Sequence, residues 1–162
     1  MSEHVIARGP AITSASLAAM YQETLLAHHR APYNRRELPE ATHTASRKNP
    51  LCGDALEVAI VVDADRIADA AFTGRGCSIA VASASMLTRV VPGLTRLEAQ
   101  TLVEDVEAML TGATDTAHLP AALDALRGVA PFPGRHGCAT MPWLALRDAL
   151  RDVVQTHAHL RP

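Results

Sequence analysis

A chain of 162 residues, 48% hydrophobic and 20% charged, is long enough for one domain with its own core, and a formal net charge of −2 without long runs of one sign argues against a nucleic-acid or membrane-surface binder. No apolar run approaches the length of a bilayer span, and the chain opens without a basic segment followed by an apolar stretch, so neither a membrane segment nor a signal peptide is expected. Three cysteines is an odd count, which fits reduced thiols in the cytoplasm better than a secreted disulfide framework.

Residues 1–13 read as a loose tail, 14–155 as a single domain and 156–162 as a second tail. A helix is expected to start near Ser14 or Ser16, either of which could cap it, with Leu17, Met20, Tyr21 and Leu25 on one face and an end before Pro32. His28 and His29 would lie in its last turn as surface residues whose positive charge suits the dipole. Residues 41–47 suggest a short strand. Leu56, Val58, Ile60 and Val62 alternate with Glu57, Ala59 and Val61, and Ile67 to Thr73 returns as the next strand, giving a three-stranded antiparallel sheet.

Helical spacing resumes from Ser78 to Val91, where the small residues Ala80 to Ser85 allow close packing on the sheet. Thr95 and Glu98 make a capping box for a helix carrying Leu97, Leu102, Val106 and Leu110, with Gly112 as its C-cap. Residues 113–134 are looser, with a short helix around 121–126. The last helix is expected to start at or just after Cys138, with Pro142 in its first turn and a stripe of Trp143, Leu146, Leu150 and Val153. His157 and His159 lie beyond it and read as solvated.

The chemistry concentrates at the cysteines. Cys52 and Asp54 share a loop with only Gly53 between them, and glycine accepts the backbone angles that turn both side chains toward one point. Cys77 and Cys138 each fall at a helix N-terminus, where free N–H groups and the dipole favour a thiolate. Thiolates with one carboxylate suit zinc or an iron–sulfur cluster. Three thiolates and a carboxylate carry four negative charges, of which a divalent cation neutralises two; Arg135, three residues before Cys138, would offset part of the rest. The wide separations are not those of a zinc finger, and free cysteines also fill cores, so residue logic alone leaves a shared metal or sulfur site and a packing role both open.

The blocks Asn49-Pro50-Leu51-Cys52-Gly53-Asp54, Gly74-Arg75-Gly76-Cys77-Ser78-Ile79, Ala82 to Thr88 and Arg135-His136-Gly137-Cys138-Ala139-Thr140 resemble the signature blocks of the IscU/SufU/NifU-N proteins of iron–sulfur cluster assembly. Tyr21, His28, Pro32 and Asn34 also fit the family's pattern, and the resemblance covers roughly residues 17 to 150. An added segment around 113–131, Gly137 where the IscU branch has histidine, and Arg135 resemble the SufU-type branch. Departures are His29 for the usual tyrosine, Tyr33 for arginine and Gly137 for lysine; His136 lies one position away from the IscU histidine.

The resemblance implies an α+β fold, a three-stranded antiparallel sheet with helices packed on one side. It implies zinc held by Cys52, Asp54, Cys77 and Cys138, and docking on a SufS-type cysteine desulfurase, a histidine of which displaces one thiolate. Cys52 would then take persulfide sulfur, with Arg135 guiding the thiolate, for delivery to a downstream iron–sulfur scaffold. The same ligands could instead hold iron or a [2Fe–2S] cluster, which would make the chain a scaffold on which a cluster is assembled. A structural zinc module is a third reading. The chain is expected to be a sulfurtransferase-like partner of the desulfurase with no hydrolytic activity of its own.

Overall fold

The computed structural model describes residues 13–51, 53–113 and 115–151. The order is α1 (Ser14–Arg30), β1 (His43–Asn49), β2 (Asp54–Asp63), β3 (Arg66–Arg75), α2 (Ser78–Val90), α3 (Arg96–Leu110), two 3₁₀ segments (Ala121–Val129 and Pro133–Arg135) and α4 (His136–Arg151). The strands form one antiparallel sheet in the order β1-β2-β3. The expected α+β architecture is present.

Alternation along β2 decides which residues meet the helices. Leu56, Val58 and Ile60 are buried against them, while Glu57 on the other face is exposed. Asp54 falls in the same alternating set as Leu56, so its carboxylate also turns to the helical side. The second face is partly covered by the segment after α1, where Leu38 packs on Ala59 and Ala71. A register shift at Val61/Val62 lies at the far end of the hairpin from Asp54.

The main core joins Val58, Ile60 and Ile67 of the sheet to Met86 and Leu87 of α2, Val103 and Val106 of α3, Leu123 and Leu126, and Trp143, Leu146 and Leu150 of α4. With few aromatics, it closes through short side chains. Every residue from Ala80 to Thr88 is buried, as expected for a small-residue helix lying between sheet and neighbours.

Several boundaries differ from expectation. The cap of α1 is Thr13, whose extended backbone brings its hydroxyl to the Ser16 amide at 3.0 Å, so neither Ser14 nor Ser16 does this work. Tyr21 and Leu25 pack on the core, but Met20 is 54% exposed, because the helix meets its neighbours along one narrow line. Gly128 sets that line: a Cβ there would lie 2.9 Å from the Tyr21 Cβ. The first strand runs over His43–Asn49, two residues later than expected. The capping box of Thr95 and Glu98 is present, and Gly112 takes a positive φ after α3. Leu97, expected in the α3 stripe, is 71% exposed, since it precedes the buried face set by Ala99, Leu102 and Val106.

The last helix begins at His136, before Cys138, because the Pro133–Arg135 turn runs directly into it. Pro142 is therefore inside the helix rather than in its first turn, and is buried there. His28 is not a surface cap. It is half-buried, with Nδ1 2.7 Å from the Ser85 hydroxyl, which accepts the Tyr33 amide at 2.8 Å. Burial, and then Arg89, lower its pKa below the ordinary 6.5. The expectations for residues 1–12, Val153, His157 and His159 lie outside the described residues. Among the described residues no helix is long and apolar enough to cross a membrane.

Candidate functional site

The site is built at one end of the sheet, where the β1–β2 hairpin meets the first turns of α2 and α4. Asn49 closes β1 opposite Asp54. Its side-chain Oδ1 accepts the Leu51 amide at 3.1 Å and its carbonyl accepts the Gly53 amide at 2.9 Å, so the loop is tied at both levels. Gly53 takes φ of +73°, the left-handed geometry that glycine accepts without strain. Cys52, in this loop, lies outside the described residues.

Asp54 opens β2 and is 7% exposed. Its Oδ2 accepts the Cys77 amide at 3.1 Å. Cys77 is the N-cap of α2 with an extended backbone, so the carboxylate satisfies one of the amides that a helix start leaves open. Gly76 makes room for this approach: a Cβ there would meet the Ala80 Cβ at 2.9 Å and stand 3.6 Å from the carboxylate. Gly74 allows the strands to close, since a Cβ on it would lie 2.2 Å from the Ala55 carbonyl oxygen.

Cys138 is buried in the first turn of α4. That turn is fixed by contacts that no local sequence pattern announces. The Ser83 hydroxyl donates to the Ala139 carbonyl at 2.6 Å and accepts the Trp143 indole N–H at 3.0 Å, joining α2 to α4 inside the core. On β1, Arg47 makes a two-pronged ion pair with Asp148 of α4, at 2.6 and 3.0 Å. The hydrogen bond to Asp148 raises the Arg47 pKa further and keeps it charged. Such long-range pairs leave no short sequence pattern.

The outcome is convergence of three of the four expected ligands. One donor atom each from Asp54, Cys77 and Cys138 lies within 4.8 Å of the others. Two donors on one zinc at about 2.3 Å stand roughly 4 Å apart, so this set fits a metal with only small closure. Two thiols and a carboxylate are also a donor chemistry that zinc and iron–sulfur centres accept. Arg135 is exposed at the entry to α4, its amide donating to the Phe132 carbonyl at 2.9 Å. His136 uses Nε2 as a donor to the Ala130 carbonyl at 2.8 Å, which occupies that ring nitrogen away from the cysteines.

The NifU-like N-terminal domain model matches residues 20–139, which span the sheet, α2, α3 and Cys138. The chain belongs to this family. Two relatives carry names for different roles. The zinc-dependent sulfurtransferase SufU of Bacillus subtilis is 35% identical over 139 residues, covering 85% of this chain and 93% of that protein. The iron–sulfur cluster assembly scaffold protein IscU of Streptococcus pyogenes is 34% identical over 133 residues, covering 82% and 83%. Among solved structures, a candidate SUF-system scaffold protein from Fervidobacterium islandicum superposes with a TM-score of 0.74 at 28% identity, over 82% of this chain and 97% of that one. This NifU-like domain thus shares both sequence and fold with cluster-assembly proteins of the IscU/SufU type.

Proposed function

We propose that this NifU-like protein is a zinc-dependent sulfur acceptor that takes persulfide sulfur from a SufS-type cysteine desulfurase and passes it toward a downstream iron–sulfur scaffold in the cytoplasm. The observation that carries the reading is the convergence of Asp54, Cys77 and Cys138 at the base of the loop that holds Cys52. The full ligand set would be Cys52, Asp54, Cys77 and Cys138, within a single domain over 14–155. Zinc, when bound, would hold the thiols as thiolates near neutral pH. The likeness to the zinc-dependent SufU supports the choice of metal.

The chain's own residues divide the work. Asp54 braces the start of α2 through the Cys77 amide, and its carboxylate lies within reach of both thiols. Asn49 and Gly53 hold the Cys52 loop at its two ends. The Cys52 thiolate attacks the terminal sulfur of the desulfurase persulfide; a new S–S bond forms at Cys52, the old one breaks, and the desulfurase cysteine leaves as a thiolate. One S–S bond is exchanged for another and the transferred sulfur keeps its oxidation level, so the transfer needs no external oxidant or reductant. Arg135, exposed beside the last cysteine block, supplies positive charge where the attacking thiolate is released.

The second reading is a scaffold for a [2Fe–2S] cluster, favoured by the likeness to scaffold-type IscU. One experiment separates the two. Sulfide release from cysteine by the desulfurase, with a reductant, is measured with and without this protein, alongside metal analysis. Zinc in the protein and stimulation that Cys52→Ala abolishes support the acceptor. Absence of stimulation, with iron and acid-labile sulfide after reconstitution, supports the scaffold.

A further inference from the structure

Exposed cations gather at the site end of the sheet. At the site end, Arg35, Lys48, Arg75 and Arg135 are all exposed, and none of them takes part in a salt bridge among the described residues. Lys48, Ala55 and Arg75 are directly paired across β1, β2 and β3, so the two cations share one face with only a small residue between them. Arg35 joins them by donating to the Gly74 carbonyl at 2.7 Å. Acids of that face begin further from the site, with Glu57, which accepts the Ser46 hydroxyl at 3.3 Å, and with Glu37 in the segment over the sheet. At the opposite end the charges are mixed: Asp63, Asp65 and Glu98 are exposed, and so is Arg66, paired across the hairpin with Asp63.

Lys48 and Arg75 are not counter-charges for the metal centre. Asp54 is one residue from Ala55 and therefore faces the other side of the sheet from Lys48 and Arg75. Exposed apolar groups flank the same end. Leu51, beside Cys52, is 95% exposed, and Phe132 is 61% exposed. Phe132 edges a cleft of about 350 Å³ lined by Ser78 and Ile79, the residues after Cys77, and by Leu25 and Leu26 of α1. A small anion would have no use for bare leucine and phenylalanine at the rim; a protein surface would.

We propose that this cationic collar, with Leu51 and Phe132 as anchors, is the docking surface for an acidic, apolar-pocketed face of the sulfur-donating desulfurase. The inference rests on the sulfur-acceptor reading above and adds the chemistry of the partner's face.

The test is the Kd for a purified SufS-type desulfurase, read by fluorescence anisotropy of this protein at two salt concentrations. Raising NaCl from about 50 to about 300 mM should weaken binding roughly tenfold, because exposed charges are screened. The double variant Lys48→Glu/Arg75→Glu should raise the Kd about tenfold at low salt and flatten the salt dependence, with metal content and Tm unchanged. Lys48→Gln/Arg75→Gln should fall between, and Glu104→Lys on α3, away from the collar, should stay within about twofold. Leu51→Ala and Phe132→Ala should weaken binding equally at both salts.

Wild-type binding and stimulation with a salt-independent Kd would overturn the collar and leave the sulfur-acceptor reading standing. So would an equal shift in Glu104→Lys. Failure of the wild type to bind any desulfurase at low salt would overturn the collar and the reading together.

Discussion

The Asp54 carboxylate accepts the Cys77 amide at 3.1 Å, so one candidate metal ligand holds in place the N-cap residue that is itself the second. The two roles can be separated. Asp54→Asn keeps an acceptor but loses the charge: it should lose most bound metal while the metal-free protein keeps its stability within about 1 kcal/mol. Asp54→Ala should cost the metal-free protein about 1 kcal/mol or more, because the half-buried Cys77 amide loses its acceptor. Metal per chain and urea unfolding of the stripped proteins would check both.

Metal removal should lower the Tm without unfolding the chain at room temperature. Structural zinc contributes on the order of 10 kcal/mol in domains that lack a core. Here the buried set from Val58 to Leu150 persists without any metal ligand. Circular dichroism after chelation should retain the helical signal, and a random-coil spectrum would refute the expectation.

Ser83→Ala should destabilise the protein by about 1–3 kcal/mol, since it leaves the buried Trp143 N–H without its acceptor and the Ala139 carbonyl without a donor. It should also loosen the turn that carries Cys138. A fall in metal affinity alongside the loss of stability, with Ser83→Thr partly restoring both, is the expected pattern.

Gly74→Ala should cost at least about 2 kcal/mol, given a φ of +107° and a methyl group driven into the Ala55 carbonyl. Gly53→Ala has the same sign of φ but open space around it and should cost only about 1 kcal/mol. Thermal unfolding of the two variants would test that ordering.

Stability should fall with acid through His28. Its folded pKa lies below the ordinary 6.5, so the unfolded chain binds the proton more readily. The His28 contribution is therefore complete above pH 6.5 and is lost as pH falls through the depressed value. His28→Gln should flatten the part of the stability–pH curve just below 6.5, and an unchanged curve would refute the assignment.

Much of this architecture was legible in the residues. Alternation along Leu56 to Val62 gave the sheet and its buried face, and Thr95 with Glu98 gave the start of α3. The cysteine blocks pointed to the candidate ligands, because glycines and helix starts around thiols are local patterns. Where local reasoning failed, a distant partner had intervened. His28 was read as a surface cation because only the fold brings Ser85 and Arg89 beside it. Leu97 was read as core because its helical spacing fits, although the packing line of α3 passes through Ala99 instead.

The sequence by itself determined the kind of chemistry available: three thiols, one carboxylate, and the turns and caps that place them at element ends. The tertiary structure alone decided which of them meet. It brings Cys138 to Asp54 and Cys77 through the Ser83–Trp143 clasp and the Arg47–Asp148 pair. It also gathers Lys48, Arg75 and Arg35 onto one end of a chain whose net charge is close to zero. The physical reason is that chain composition counts charges and thiols, whereas sheet register and helix packing set the distances at which they act.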